Sequence, residues 1–215
     1  VIYPLAVQEP GPSWKQGYPP VFRNACRGVV CHSMVGSYAG AKARLDSQDR
    51  ASWHFSIAKS GTVYQHYRVS EITWHAGTPQ WNQKLVGIEH EGGAPGNESE
   101  RLTEAQLASS VQLVRWLARY YGFPLVRKVS LWEHSELSAT QCPSGRIPWK
   151  YYEEGDEMAI TLVECGDSPT GYRLYALGQG APTWITDPAA ANELRAAFGI
   201  PKGLTWKSLS ALGAK

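Results

Sequence analysis

The chain has 215 residues, with 21 Lys and Arg against 19 Asp and Glu, so its formal charge of +2 makes it only mildly basic. Without a block of Lys or Arg it lacks the concentrated basic face that phosphate binding requires, which speaks against nucleic acid as the main partner. No stretch approaches the eighteen or so apolar residues of a membrane span, and the four cysteines (Cys26, Cys31, Cys142 and Cys165) are too few and too scattered for a disulfide scaffold.

The length allows one domain of ordinary size plus a small appendage. Synthesis in a reducing compartment is expected, with a Cys26–Cys31 bridge left open as an alternative. The opening VIYPLAVQEPGPSW has neither the basic n-region nor the cleavage site of a secretory signal. Nine Trp and eleven Tyr, many in polar contexts such as TPQWNQK and IPWKYY, suit either a sugar or peptide cleft or half-buried packing.

Residues 1–24 are rich in Pro, Gly and aromatics without a period, and are expected to form an irregular arm lying on the domain. RGVVCHSM (27–34) is a β-branched run that ends on a histidine and breaks at Gly36, as a core strand feeding a loop does. AGAKARLDSQDR is a loop or a short helix. ASWHFSIAKSGTVYQHYR (51–68) gives two alternating runs around Ser60-Gly61, a hairpin signal, and KLVGIEHEGG (84–93) is a strand stopped by two glycines.

The clearest helix spans 103–121. Thr103 and Gln106 make a capping box, Leu107, Val111, Val114 and Leu117 recur at helical spacing, and Gly122 with Pro124 ends the segment. VSLWEHS is a strand whose end carries His134, and YYEEGDEM (151–158) has the composition of a linker. Beyond it, AITLVECG and GYRLYALG are two strands, GAPTWITD is a candidate third, and PAAANELRAAFG is a short helix. The fold class is therefore α/β, a mixed central β-sheet flanked by helices over 25–152, followed by a small C-terminal α+β module over 159–215. That module, with Tyr172, Tyr175, Trp184 and Trp206, suits cell-wall binding or simple packing.

A catalytic zinc site has three protein ligands drawn from His, Cys and carboxylates and one open position. His32 and His134, each at a strand end, and Cys142, eight residues after His134, can supply such a set. From spacing alone the alternative stays open: satisfied histidines and an inert thiol in a turn.

The strings VVCHS, SWHFSIAKSGTVYQ, WHAGTPQWN, VGIEHEG and HSELSATQCPSGRIPW occur in this order. Together they resemble the zinc-dependent N-acetylmuramoyl-L-alanine amidases of the family that includes peptidoglycan recognition proteins and phage lysozyme-type amidases. The resemblance covers about residues 25–150. It implies hydrolysis of the amide between the lactyl group of N-acetylmuramic acid and L-alanine in bacterial peptidoglycan, with zinc (Zn2+) held at one edge of the sheet by His32, His134 and Cys142. It also implies Glu89 as the general base and Thr140, where relatives carry Lys or Thr, as a group that hydrogen-bonds the tetrahedral intermediate or shapes its loop.

Trp53 stands where relatives often show a tyrosine. Indole has no acceptor, so Trp53 is expected only to line the groove, which leaves the acid/base work to Glu89. His54, His75, Trp81 and Asn82 are the other candidate substrate-binding residues, against packing or loop hydrogen bonding. Glu91 is expected to be solvated, His66 structural or solvated, and Cys31 a buried thiol facing away from His32. A monomer acting at the bacterial cell wall, of endolysin type, is expected. A non-catalytic peptidoglycan-binding recognition protein and a cytosolic muropeptide-recycling amidase are the rival readings.

Overall fold

A computed structural model describes residues 1–17 and 23–153, together with the backbone of three strands further on. The chain divides into two compact units, one comprising Val1–Ile2 and Ala6–Glu154, the other Tyr3–Leu5 and Gly155–Lys215.

The first unit is built on a six-stranded sheet. Its strands are β1 (Val7–Gln8), β2 (Gly28–Ser33), β3 (Phe55–Ile57), β4 (Val63–Gln65), β5 (Leu85–His90) and β6 (Leu131–Glu133), in the spatial order β1-β4-β3-β5-β2-β6. Only β3 and β4 pair antiparallel, as the hairpin around Ser60-Gly61; every other pair is parallel. The two central strands, GVVCHS and LVGIEH, are buried almost throughout, the pattern of parallel strands covered on both faces.

The helices are α1 (Tyr38–Asp46), α2 (Pro79–Asn82), α3 (Glu104–Tyr121) and α4 (Lys150–Glu153). Ser37 caps α1 by accepting the Gly40 N–H, which resolves the loop-or-helix alternative for that stretch. Helix α3 starts at an N-cap Thr103 that accepts the Gln106 N–H and ends at Gly122 in the left-handed region. Only half of the expected capping box forms. Gln106 turns inward and donates to the carbonyls of Ile57 and Glu91, because two sheet-end carbonyls need donors more than an exposed helix terminus does. Leu107 is half-buried, whereas Gln106 and Ser110 lie on the buried face with Val111, Val114 and Leu117. Ser110 Oγ meets His90 Nε2 at 2.7 Å and Tyr152 Oη at 2.7 Å.

Two expectations are corrected, and one open alternative is settled. The N-terminal arm is not wholly irregular: β1 adds an edge strand parallel to β4, and Lys15 is buried with Nζ donating to the carbonyls of Arg44 and Ala51. The start of the supposed linker is helix α4, whose Tyr152 is fully buried. Cys26 and Cys31 are free thiols, and burial pushes both thiol pKa values far up.

In the second unit β7 (Thr161–Cys165), β8 (Arg173–Leu177) and β9 (Thr183–Trp184) form an antiparallel sheet in that order. The helix expected over 188–199, and the aromatic side chains of 159–215, lie outside the described residues. Among the described residues no helix is long and apolar enough to cross a membrane.

Candidate metal centre

Strands β2 and β6 run parallel and adjacent, so the loops that follow them leave the sheet on the same side. His32 is the penultimate residue of β2, and His134 opens the 3-10 turn His134–Glu136 directly after β6. The chain then turns back. Ser135 N–H donates to the Cys142 carbonyl at 2.8 Å, and Ser33 N–H donates to Cys142 Sγ at 3.2 Å. The result is a triad in which one ligand atom each from His32, His134 and Cys142 lies within 4.8 Å of the others. It sits at the carboxyl ends of the central parallel strands, where α/β sheets place their ligands.

The donor set fits zinc. Tetrahedral zinc with N and S ligands holds neighbouring donor atoms about 3.3 to 3.6 Å apart; His32 Nδ1 lies 3.9 Å from Cys142 Sγ, a few tenths of an ångström from that spacing, and all three donors lie within 4.8 Å of one another. Burial lowers the pKa of both His32 and His134, which keeps the imidazoles in their neutral, ligating form. The Cys142 thiol is pushed up to about 12, by burial first and then by the nearby Glu89, while the Ser33 N–H pulls it down.

Glu89 stands on β5 in register with His32 on β2 and Ser56 on β3. Register partners in parallel strands share a face, so the carboxyl projects on the same side as the His32 ring. Its Oε2 is buried without a hydrogen-bond partner, and burial raises its pKa to about 8 against the weaker downward pull of Arg44 and Arg146. A buried carboxyl in the middle of a structural core would be satisfied; an orphaned oxygen beside the His32, His134 and Cys142 cluster marks Glu89 as a candidate acid/base group. Thr140 lies in the loop before Cys142, where its Oγ1 accepts the Cys142 N–H at 3.2 Å. The hydroxyl therefore shapes the ligand loop and keeps its own proton to donate.

Four candidate substrate contacts are interior residues. Trp53 is 4% exposed, packs with Ala41, Leu45 and Tyr67, and donates its indole N–H to Ser56 Oγ. It lines no groove, because a large ring with a satisfied N–H is worth more inside. His54 is sealed, with Nε2 on the Glu71 carbonyl and Nδ1 accepting the Gly87 N–H. Asn82 is buried, its Oδ1 accepting the N–H groups of both His75 and Ala76. His75 is also buried, against the His32 ring, with His32 Nε2 to His75 Nδ1 at 3.2 Å. Trp81 alone of this group is half-exposed, tilted against Trp132 at a ring separation of 5.3 Å.

Of the remaining residues, His66 and Cys31 match expectation and Glu91 does not. His66 is structural, with Nδ1 on the Glu9 carbonyl and Nε2 on Ser56 Oγ. Glu91 is not simply solvated: its two oxygens accept the N–H groups of Tyr38 and Lys59 and tie two loops together. Cys31 is fully buried.

Sequence reasoning missed Arg146. Its buried guanidinium donates to Ser33 Oγ and to the carbonyls of His90, Glu91 and Glu100. Three of those bonds staple the Cys142 loop to the ends of β2 and β5, and the fourth ties it to the loop before α3. The only signal was an arginine following the turn PSG. Arg146→Met is expected to destabilise the protein by about 3 kcal/mol, since hydrogen bonds from a charged donor are worth about 1.5 to 3 kcal/mol each and their loss leaves buried acceptors open. A melting temperature within a degree of wild type, with unchanged metal affinity, would refute the staple.

Comparison with known proteins agrees with this architecture. The family model for N-acetylmuramoyl-L-alanine amidase matches residues 22–145. N-acetylmuramoyl-L-alanine amidase A of Achromobacter lyticus is 36% identical over 147 residues, covering 60% of this chain and 82% of that protein. The amidase XlyA of Bacillus subtilis is 27% identical over 176 residues, covering 80% of this chain, which spans 50% of the length of XlyA. The amidase LysC of Clostridium intestinale superposes with a TM-score of 0.54 at 23% identity, over 69% of this chain and 94% of LysC, and so shares the fold. With a family match over more than half of its length and an α/β architecture shared with solved amidases, the chain belongs to the N-acetylmuramoyl-L-alanine amidase family.

Proposed function

We propose that the chain is a zinc-dependent peptidoglycan hydrolase that cleaves the amide between N-acetylmuramic acid and the L-alanine of the stem peptide, acting on the bacterial wall as a phage-type endolysin does. The observation that carries this reading is the meeting of His32, His134 and Cys142 within 4.8 Å, beside the unpartnered buried oxygen of Glu89. The names of the relatives supply the bond.

His32, His134 and Cys142 would hold the ion, and zinc bound there would supply Lewis acidity toward a carbonyl oxygen and acidify a water. Glu89 takes a proton from the attacking water and hands it to the departing amine, since an amide nitrogen leaves only when protonated. A carboxyl with a raised pKa suits both halves of that transfer. Thr140 offers a hydroxyl to the developing oxyanion, and as a neutral donor it supplies hydrogen bonding without charge.

Mass spectrometry of purified peptidoglycan after digestion tests the reaction. Stem peptides released with a free L-alanine amino terminus, and glycan left with an unsubstituted lactyl carboxylate, are expected. Walls that bind the protein but yield no new amino termini would replace the enzyme with a recognition module.

A further inference from the structure

His75 of the WHAG stretch, a candidate substrate-binding residue, is buried directly behind His32. His75 Nε2 lies 3.2 Å from the Leu85 carbonyl. A carbonyl only accepts, so that nitrogen carries the proton. Both rings are buried, and the partners of His75 are a backbone carbonyl and the other imidazole, with no carboxylate to balance a buried cation, so each ring is neutral and has one bare nitrogen. In His75 the bare atom is Nδ1, which faces His32 Nε2 at 3.2 Å. His32 must then donate from Nε2, and its own bare nitrogen is Nδ1, the atom 3.9 Å from Cys142 Sγ.

The surroundings of His75 are built to hold it there. Gly87 lies mid-strand, where a glycine weakens a sheet, and a Cβ at that position would lie 2.6 Å from His75 Cγ and 2.9 Å from Nδ1. The ring sits on bare backbone. Asn82 Oδ1 pins the His75 N–H at 3.1 Å and the Ala76 N–H at 2.8 Å. Asn24 Nδ2 in turn donates to the carbonyls of Asn82 and Leu85. On the other side of the same turn, a Cβ on Gly77 would meet Ser138 Cβ at 3.0 Å and His134 Nε2 at 4.0 Å, so WHAG packs behind two of the three ligands.

We propose that His75 is a positioning residue which, anchored by the Leu85 carbonyl and seated on Gly87, locks His32 in its Nε2–H tautomer and presents Nδ1 to the metal. This rests on the zinc reading of the site. A ligand whose tautomer is preset need not shift a proton on binding, and partners of this kind are typically worth about 10- to 100-fold in metal affinity.

Imidazole nitrogen NMR of the full-length, metal-free chain reads the tautomer without reference to activity. His32 is expected to show a protonated Nε2 and a bare Nδ1, and the reverse pattern overturns the proposal. Zinc affinity by chelator competition supplies the second arm. His75→Phe, which fills the space without an acceptor, is expected to weaken zinc binding about 10- to 100-fold. His75→Asn, whose amide oxygen falls near the position of Nδ1, should recover most of that loss. Equal affinity of His75→Phe and wild type overturns the lock. A wild-type chain that takes up no zinc overturns the metal reading itself, and the tautomer measured in the same metal-free sample separates that failure from failure of the lock. If His75→Phe does not fold, the wild-type tautomer still decides.

Discussion

Glu89→Gln is expected to leave zinc bound and to lower turnover by about 10²- to 10⁴-fold, the usual contribution of a positioned acid/base group. The amide keeps the shape of the side chain and removes the proton site, so a loss confined to kcat with zinc retained assigns Glu89 to proton transfer. Because a base must be ionised, activity should rise with pH through the raised Glu89 pKa, which in the metal-free chain is about 8. A bound cation favours the carboxylate and moves that limb downward. The limb should vanish in Glu89→Gln. Unimpaired turnover in the variant would hand the base to another residue.

The same shift makes a stability prediction of definite sign. The folded pKa lies above its ordinary 4.5, so protonated Glu89 is the form the fold tolerates. Its contribution is complete below about pH 4.5 and is lost as pH rises toward 8, at about 1.4 kcal/mol per unit. Glutamine never ionises. In chelator, the melting temperature of Glu89→Gln relative to wild type should therefore climb between pH 4.5 and 8. A difference that stays flat with pH would show that the carboxyl ionises freely in the fold.

Removing the metal is expected to have the other large effect. Clearing of bacterial wall suspensions should stop in excess chelator and return with added zinc, and Cys142→Ala should bind zinc too weakly to be rescued at micromolar metal. Two neutral imidazoles and a half-buried sulfur gain their binding energy from the ion they share. The thiol pKa is held up at about 12, so binding must displace its proton. Zinc affinity should accordingly rise with pH across the neutral range, with proton release measurable by calorimetry in buffers of different ionisation enthalpy. Full clearing after verified loss of metal would refute the metal mechanism.

Much of the framework is local and was legible in the sequence. The apolar runs VVC and LVGI marked the central strands, Ser60-Gly61 the hairpin, and Thr103 and Gly122 the ends of α3. Chemistry-bearing residues at strand ends, in the order of a known family, placed His32, His134 and Cys142 together before any coordinates did. What failed were assignments of polar and aromatic side chains to a surface. Trp53, His54 and Asn82 look like groove residues when read by composition, yet each is interior, with partners such as Ser56, Glu71 and Ala76 that no periodicity reveals.

The sequence by itself determined the central strands and which of their faces His32 and Glu89 occupy, and it named the residues proposed to carry the chemistry, because alternation and turn residues act over a few positions of chain. Only the tertiary structure decided what covers those faces. That Cys142 returns to the Ser33 N–H, that Arg146 ties this loop to β2 and β5, and that His75 backs His32 are contacts across 109, 113 and 43 positions. Each pairing satisfies a buried polar group with a partner that only folding brings within reach.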